Sequence, residues 1–225
     1  MTIGIILQAR MGSSRLPGKI LKKIGNKTLL EHIFYRLKLL KHEAKLVLAT
    51  SENINDDVVE RFCKEKGIEC FRGSEINVLE RYYLCARKYG LRHIIRLTGD
   101  NPFTDIDELD NLIELHLKTS SDYTHSFGVL PVGIGAEIFT FAALVESYKK
   151  ATRENHMEHV NEYIQEHPEL FKITVLSVTE EKHRPDLRLT VDTEDDYFRA
   201  CFIVKNSGSE YIATEEAIGL CLRYA

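Results

Sequence analysis

The chain has 225 residues, 44% hydrophobic and 28% charged, with a formal net charge of −4. That length fits one α/β domain, and the mix of apolar and charged residues excludes a disordered chain. The net acidity excludes a broadly basic nucleic-acid binder. No apolar run approaches the about 20 residues a bilayer span requires, so no membrane association is expected. Met1–Gln8 has neither a basic region nor a small-residue cleavage pattern, so no signal peptide is expected. Cys63, Cys70, Cys85, Cys201 and Cys221 show no CxxC spacing. They are expected to be reduced and structural, in keeping with a cytoplasmic protein.

In chain order, Ile3–Gln8 predicts a buried strand that runs into a Gly- and Ser-rich loop. Thr28 then offers a helix cap ahead of Leu29, Leu30, Ile33, Phe34, Leu37 and Leu40, which recur at helical spacing. Lys45–Thr50 predicts a strand, and a helix through Val58, Val59, Phe62 and Cys63 stops at Gly67. Ile68–Phe71 is a short strand, followed by a helix from about Asn77 to Tyr89. His93–Thr98 predicts a strand leading into Gly99-Asp100-Asn101-Pro102, and a helix covers about Ile106 to Leu117. The strands are continuous apolar runs rather than alternating ones. This order therefore predicts a mostly parallel (mixed) sheet with helices on both faces.

After Ser120 the rhythm changes. Asp122–Ser126, a glycine-rich turn and Ala136–Phe139 predict a hairpin-like excursion at about 121–170, with helices over 141–150 and 156–166. Strands at Lys172–Val178 and Leu187–Val191 are expected to rejoin the sheet, and helices near 195–205 and 214–223 close it. No linker or repeat interrupts 1–225, so a single domain is expected.

Ligands of open α/β sheets bind beyond the carboxyl ends of strands. The first such end carries Gln8, Ala9, Arg10, Met11, Gly12, Ser13, Ser14, Arg15, Leu16, Pro17, Gly18 and Lys19. Gly12 lets backbone N–H groups approach anionic oxygens, and Ser13 and Ser14 add hydroxyls. Arg10, Arg15 and Lys19 supply three cations, the arginines with geometry suited to phosphate. The loop matches neither GxxxxGK[ST] nor GxGxxG. Two aspartates also stand at predicted strand ends, Asp100 after HIIRLTG and Asp192 after LRLTV. Helix capping is one use for them, but Asp105 or Asp107 and Thr193 or Asp195 already suit those caps. A pair of carboxylates facing a triphosphate suits Mg²⁺, which completes its octahedron with phosphates and waters.

The run QARMGSSRLPGK resembles the signature of the sugar cytidylyltransferases, the acylneuraminate and 3-deoxy-manno-octulosonate activating enzymes, and most closely the spore coat polysaccharide biosynthesis protein F branch. The resemblance implies a nucleotidyltransferase fold of the glycosyltransferase-A type, CTP as nucleotide, a sugar-type acceptor and a homodimer. TGDNPF is similar to the family's first metal motif and RLTVDTEDDY to its second, which makes Asp100 and Asp192 the implied Mg²⁺ ligands. Asn101 stands where the octulosonate enzymes often carry glutamate. Pro131–Phe139 resembles the family's acceptor turn, of which only Gly133 and Glu137 match. Met157-Glu158-His159-Val160 is similar to an arginine-glutamate-histidine-valine helix, which implies Glu158 and His159 as acceptor-site or dimer-interface residues.

His156, His159 and Tyr163 share one face of the predicted helix, but without HExxH they read as a polar surface rather than a zinc site. Arg96 is expected to pair inside the protein, and Arg188 to form a salt bridge near Asp192. The implied reaction is in-line attack of an acceptor oxygen on the α-phosphorus, releasing pyrophosphate. A related transferase using another nucleoside triphosphate, a nucleotide-sugar glycosyltransferase and a non-catalytic nucleotide-binding regulator stand as alternatives.

Overall fold

Helices and strands form where caps and apolar runs place them in the computed structural model, which describes residues 2–224. β1 (Ile3–Gln8) leads through a loop to a small hairpin, β2 (Lys23–Ile24) and β3 (Lys27–Thr28), and then to α1 (Leu29–Leu37). β4 (Lys45–Ser51), α2 (Asp57–Lys66), β5 (Glu69–Gly73), α3 (Val78–Lys88), β6 (His93–Thr98) and α4 (Ile106–Thr119) continue the alternation. There follow β7 (Tyr123–His125), β8 (Glu137–Thr140), α5 (Phe141–Lys150), α6 (Glu154–Glu158), α7 (Glu162–Glu166), β9 (Ile173–Val175), α8 (Glu194–Asn206) and α9 (Thr214–Arg223).

Seven strands form one sheet in the order β5-β4-β1-β6-β8-β7-β9. The first four are mutually parallel, and β8 runs antiparallel to both β6 and β7. The mixed sheet expected from the sequence is therefore present. Its two faces carry separate cores, because successive side chains point to opposite sides. Ile5, Leu7, Leu48, Ile95 and Leu97 join one core, while Ile6, Val47, Ala49 and Ile94 join the other. Helices cover both faces, which is why the strands read as unbroken apolar runs. The expected caps are in place: Thr28 forms a capping box with Glu31, Asp105 accepts from Glu108 N, and Thr193 forms a capping box with Asp196. No helix among the described residues is long and apolar enough to cross a membrane.

Two elements differ from the sequence expectation. Leu187–Val191 makes no sheet strand. Leu189 and Val191 are buried, which gives the run its strand-like look. The backbone nevertheless bonds to loops: Val132 N to Leu187 O (2.9 Å), Leu189 N to Val132 O (2.7 Å) and Val191 N to Asp100 O (2.8 Å). The expected helix over 156–166 is two short helices, α6 and α7, separated at His159, whose backbone is extended. The break lets Val160 enter the core and lets Asn161 Nδ2 donate to the Tyr123 hydroxyl at 3.2 Å. His156, His159 and Tyr163 therefore do not share one helical face.

A buried histidine on α4 carries a pH prediction. His116 Nδ1 lies 3.0 Å from Thr124 Oγ1, and its Nε2 lies 3.0 Å from His93 Nδ1. Burial, and then the neighbouring His93, push its pKa down from 6.5 to about 4, against a weaker upward pull from Asp122. A histidine with a depressed folded pKa stays neutral in the native state and gains its proton on unfolding. Its contribution is thus present above pH 6.5 and lost as pH falls toward 4. Thermal unfolding midpoints should decline across that interval, and His116→Asn should show a shallower decline. An unchanged slope would mean that other groups set it.

Candidate active site

The loop after β1 is held from below by a residue that sequence reasoning missed. Asp56, 2% exposed, accepts from Met11 N at 2.7 Å and from Ser51 N at 3.1 Å, fixing the loop against the end of β4. The sequence hides this role, because an aspartate directly ahead of α2 reads as that helix's cap, a bond it does not make. On the other side, Gly99 N donates to Gln8 O at 2.7 Å. A Cβ at Gly99 would lie 2.8 Å from Ala9 Cβ, so only glycine allows the two strand ends to approach this closely.

Beyond these ends lies a cleft of about 420 Å³. Gln8, Ala9, Arg10, Gly12, Ser13, Ser14, Arg15, Lys19, Asp100 and Asp192 line it, together with Arg96, Thr98, Gly99, Ile20, Glu158 and His159. Distant stretches of chain meet at Lys19. Its ammonium donates to Asp100 Oδ2 (3.0 Å), Asp192 Oδ1 (2.7 Å) and Val191 O (2.9 Å). One cation thus sits between both aspartates, and Lys19 itself is only 8% exposed. Lys19, which the sequence places in the cationic loop, also holds the two carboxylates together.

Asp192 collects further cations: Arg15 Nη2 at 3.3 Å and a hydrogen bond from Arg188, which also reaches Asp196 at 3.4 Å. The salt bridge expected of Arg188 is therefore present. Burial raises the Asp192 pKa, but the Lys19 hydrogen bond and the charges of Lys19, Arg15 and Arg188 outweigh it. Together they hold the carboxyl below its ordinary value, so it is ionised at neutral pH. Asp100 Oδ1 accepts from Thr98 Oγ1 at 2.5 Å. Arg10 reaches Glu75 O at 3.3 Å and remains partly exposed at the cleft edge.

A family model described as cytidylyltransferase matches residues 4–218. The chain belongs to the cytidylyltransferase family. It is 41% identical over 197 residues to the spore coat polysaccharide biosynthesis protein SpsF of Bacillus subtilis, covering 85% of this chain and 82% of that protein. A solved cytidylyltransferase from Leptospira borgpetersenii superposes with a TM-score of 0.92 at 32% identity, covering 99% of this chain and 94% of that one. A CMP:2-keto-3-deoxy-manno-octonic acid synthetase complexed with CTP gives a TM-score of 0.68 at 16% identity, covering 91% and 99%. That likeness shows a shared nucleotidyltransferase fold.

Within this cytidylyltransferase, the acceptor residues expected from the sequence divide. Glu158 and His159 line the cleft, brought there by the break between α6 and α7. Gly133 and Glu137 do not line it. Gly133 (φ +94°) packs on the backbone of Thr190, so it positions the segment that ends in Asp192. Glu137 is fully buried on β8, where it pairs with Arg96 Nη1 at 2.5 Å and accepts from the Tyr123 hydroxyl. The internal pairing expected of Arg96 is thus made with the very glutamate that the sequence reading assigned to the acceptor. His156 lies outside the cleft, buried against Glu166 at 2.8 Å and Arg153. No cluster of three or more metal-ligating side chains occurs among the described residues.

Proposed function

We propose that this cytidylyltransferase uses CTP and Mg²⁺ to activate an acidic, sugar-type acceptor for surface polysaccharide synthesis, giving a nucleotide sugar and pyrophosphate. The observation that carries the reading is the Lys19 ammonium held between Asp100 and Asp192 at the mouth of the cationic loop. CTP and a polysaccharide role are supported by the CTP-bound structural neighbour and by the B. subtilis relative's name. The proposal includes a homodimer, which rests on the sequence resemblance, and a cytoplasmic location, which rests on the reading of the five cysteines as reduced and structural.

The residues present fit a divalent cation. Two hard oxygen donors converge where a side-chain cation already sits, and Mg²⁺ asks for only one or two carboxylates. Asp100 and Asp192 would hold it. Bound there, Mg²⁺ supplies neutralisation of the triphosphate charge and polarisation of its phosphoryl oxygens. The protein's own share is positioning. Gly12, Ser13 and Ser14 line the cleft where the triphosphate would lie, with Arg10 and Arg15 offering bidentate donors, while the Ser13 N–H is spent inside the loop on Met11 O at 2.9 Å. Lys19 and Arg15 lie beside the carboxylates, where charge builds on the departing pyrophosphate. Gln8 and Thr98 form the floor at the strand ends, and Glu158 and His159 cover the acceptor side. Orientation alone brings effective molarities of about 10⁵ M or more, and His159, the histidine lining the cleft, is the side chain that would take a proton from an acceptor hydroxyl.

Pyrophosphate release measured with each of the four nucleoside triphosphates against a panel of carboxylated and phosphorylated sugars tests the reading. Turnover with CTP and Mg²⁺, and its loss with EDTA, are expected. Turnover confined to UTP or GTP, or undiminished by EDTA, would overturn the nucleotide or the metal assignment respectively.

A further inference from the structure

Arg96 lines the cleft, yet neither the cationic loop nor the aspartate pair uses it. Its register places it opposite Ile6 on β1 and Glu137 on β8, and therefore on the face of the sheet shared by Gln8, Thr98 and Glu137. Its Nη1 is committed to Glu137 Oε1 at 2.5 Å. Glu137 is itself fixed: its other oxygen accepts from the Tyr123 hydroxyl, which accepts in turn from Asn161 Nδ2 at 3.2 Å. The guanidinium is thus anchored from behind. Its Nε is buried with no partner, while 15% of the side chain stays open at the cleft. An ion pair serving only to join β6 to β8 would satisfy its donors internally, because an unpaired buried donor costs stability.

A second orphan lies on the same floor. Gln8 Oε1, at the end of β1, is also buried without a partner. One guanidinium donor and one amide acceptor are therefore both left unsatisfied within one cleft. The strand order assigns them to a side. The phosphate-facing loop follows β1, Asp100 follows β6, and Arg96 lies toward β8, where Glu137 holds it, away from the edge at which Glu158 neighbours Arg10 and Glu75.

We propose that Arg96, held by Glu137, reads an oxyanion of the acceptor, a carboxylate or a phosphate, while the Gln8 amide accepts from a hydroxyl beside it. The inference rests on the nucleotidyl-transfer reading and adds to it the residue that selects an acidic acceptor. Arg96 is thus a specificity-determining residue, with Glu137 as its positioning partner. The guanidinium fork matches a planar carboxylate or a phosphate edge in a way an ammonium does not.

The test uses the wild-type protein holding α,β-methylene-CTP, which cannot be cleaved at the reacting bond. The Arg96 Nε–H NMR signal, assigned by its loss in Arg96→Lys, is followed during titration. The probes are 3-deoxy-manno-octulosonate and N-acetylneuraminate as carboxylates, glucose 1-phosphate and glycerol 3-phosphate as phosphates, and glucose as the neutral control. A saturable shift with carboxylates or with phosphates, absent with glucose, is expected, and the responding class names the oxyanion. No shift with any anion, or an equal shift with glucose, overturns the proposal. The Arg10 and Arg15 signals report nucleotide binding separately, so failure of the CTP reading is distinguished from failure of this one. With an acceptor turned over by the wild type, Arg96→Lys and Gln8→Ala should raise the acceptor KM, the former by about 10- to 100-fold. The KM for CTP should stay within about twofold; a parallel rise in both would also overturn the assignment.

Discussion

Asp192→Asn and Asp100→Asn are each expected to lower kcat for nucleotidyl transfer by about 10²–10³-fold, the range seen when one preorganised electrostatic group is removed from an active site. The substitution preserves shape and removes charge. Lys19 keeps its bonds to the other carboxylate and to Val191 O, so the fold should hold, with an unfolding midpoint within a few degrees of wild type. The two aspartates serve one cation position. The double variant should therefore be little worse than either single one, as groups acting as a unit are strongly non-additive. Steady-state pyrophosphate release with CTP and an accepted sugar measures all three. Wild-type turnover in either single variant would remove that aspartate from the chemistry, and multiplied losses in the double variant would show two independent roles.

Gly133→Ala should be nearly as damaging, although Gly133 does not line the cleft. Its φ of +94° is one that side-chain-bearing residues rarely adopt, and an added Cβ would stand 2.4 Å from Thr190 N and 2.7 Å from Thr190 Cα. Both obstacles are backbone, and neither can rotate away. The neighbouring Val132 carbonyl accepts from Leu189 N at 2.7 Å and Thr190 N at 3.1 Å, so relief of the clash pushes the whole 187–192 segment outward. Asp192 rides at its end. Strain of about 1–3 kcal/mol corresponds to a midpoint lowered by several degrees at this chain length. Displacing a reacting group by about 1 Å costs on the order of 10²-fold in rate. Thermal melting and kcat should both fall in Gly133→Ala, while Val132→Ala, a half-exposed side chain next door, should change neither appreciably. Full activity in Gly133→Ala would show that the 187–192 segment does not depend on this contact.

The parts of the fold legible in the sequence are those set by local chemistry. Ile3–Gln8 and His93–Thr98 form strands over the expected residues, because runs buried on both faces leave no ambiguity of period. Thr28, Asp105 and Thr193 cap as expected because side-chain capping is decided within one turn. The cradle and its aspartates were legible for the same reason, as dense polar chemistry directly following apolar strands.

What failed depended on distant partners. Leu189 and Val191 point into the core as strand residues do, yet their backbone bonds to the loops at Val132 and Asp100, a pairing that no local pattern announces. Helix periodicity through Val160 and Tyr163 concealed the break at His159, which the core and the Tyr123 hydroxyl impose. Glu137 read as an acceptor ligand because the register of β8 against β6 is not written in either strand alone; only their alignment turns it toward Arg96. For Lys19 the position was legible and the pairing was not: it lines the cleft as expected, but nothing near it in sequence shows that Asp100 and Asp192 converge on its ammonium.

The central claim, that these two carboxylates hold the cation through which the cradle binds a triphosphate, is tested most directly by calorimetric titration of CTP into wild-type protein and into the Asp100→Asn, Asp192→Asn double variant. In Mg²⁺ the double variant should bind CTP at least about tenfold more weakly, because an uncharged pair cannot retain the cation, and in EDTA the difference should vanish. Binding of CTP in Mg²⁺ at wild-type strength by the double variant would contradict the account.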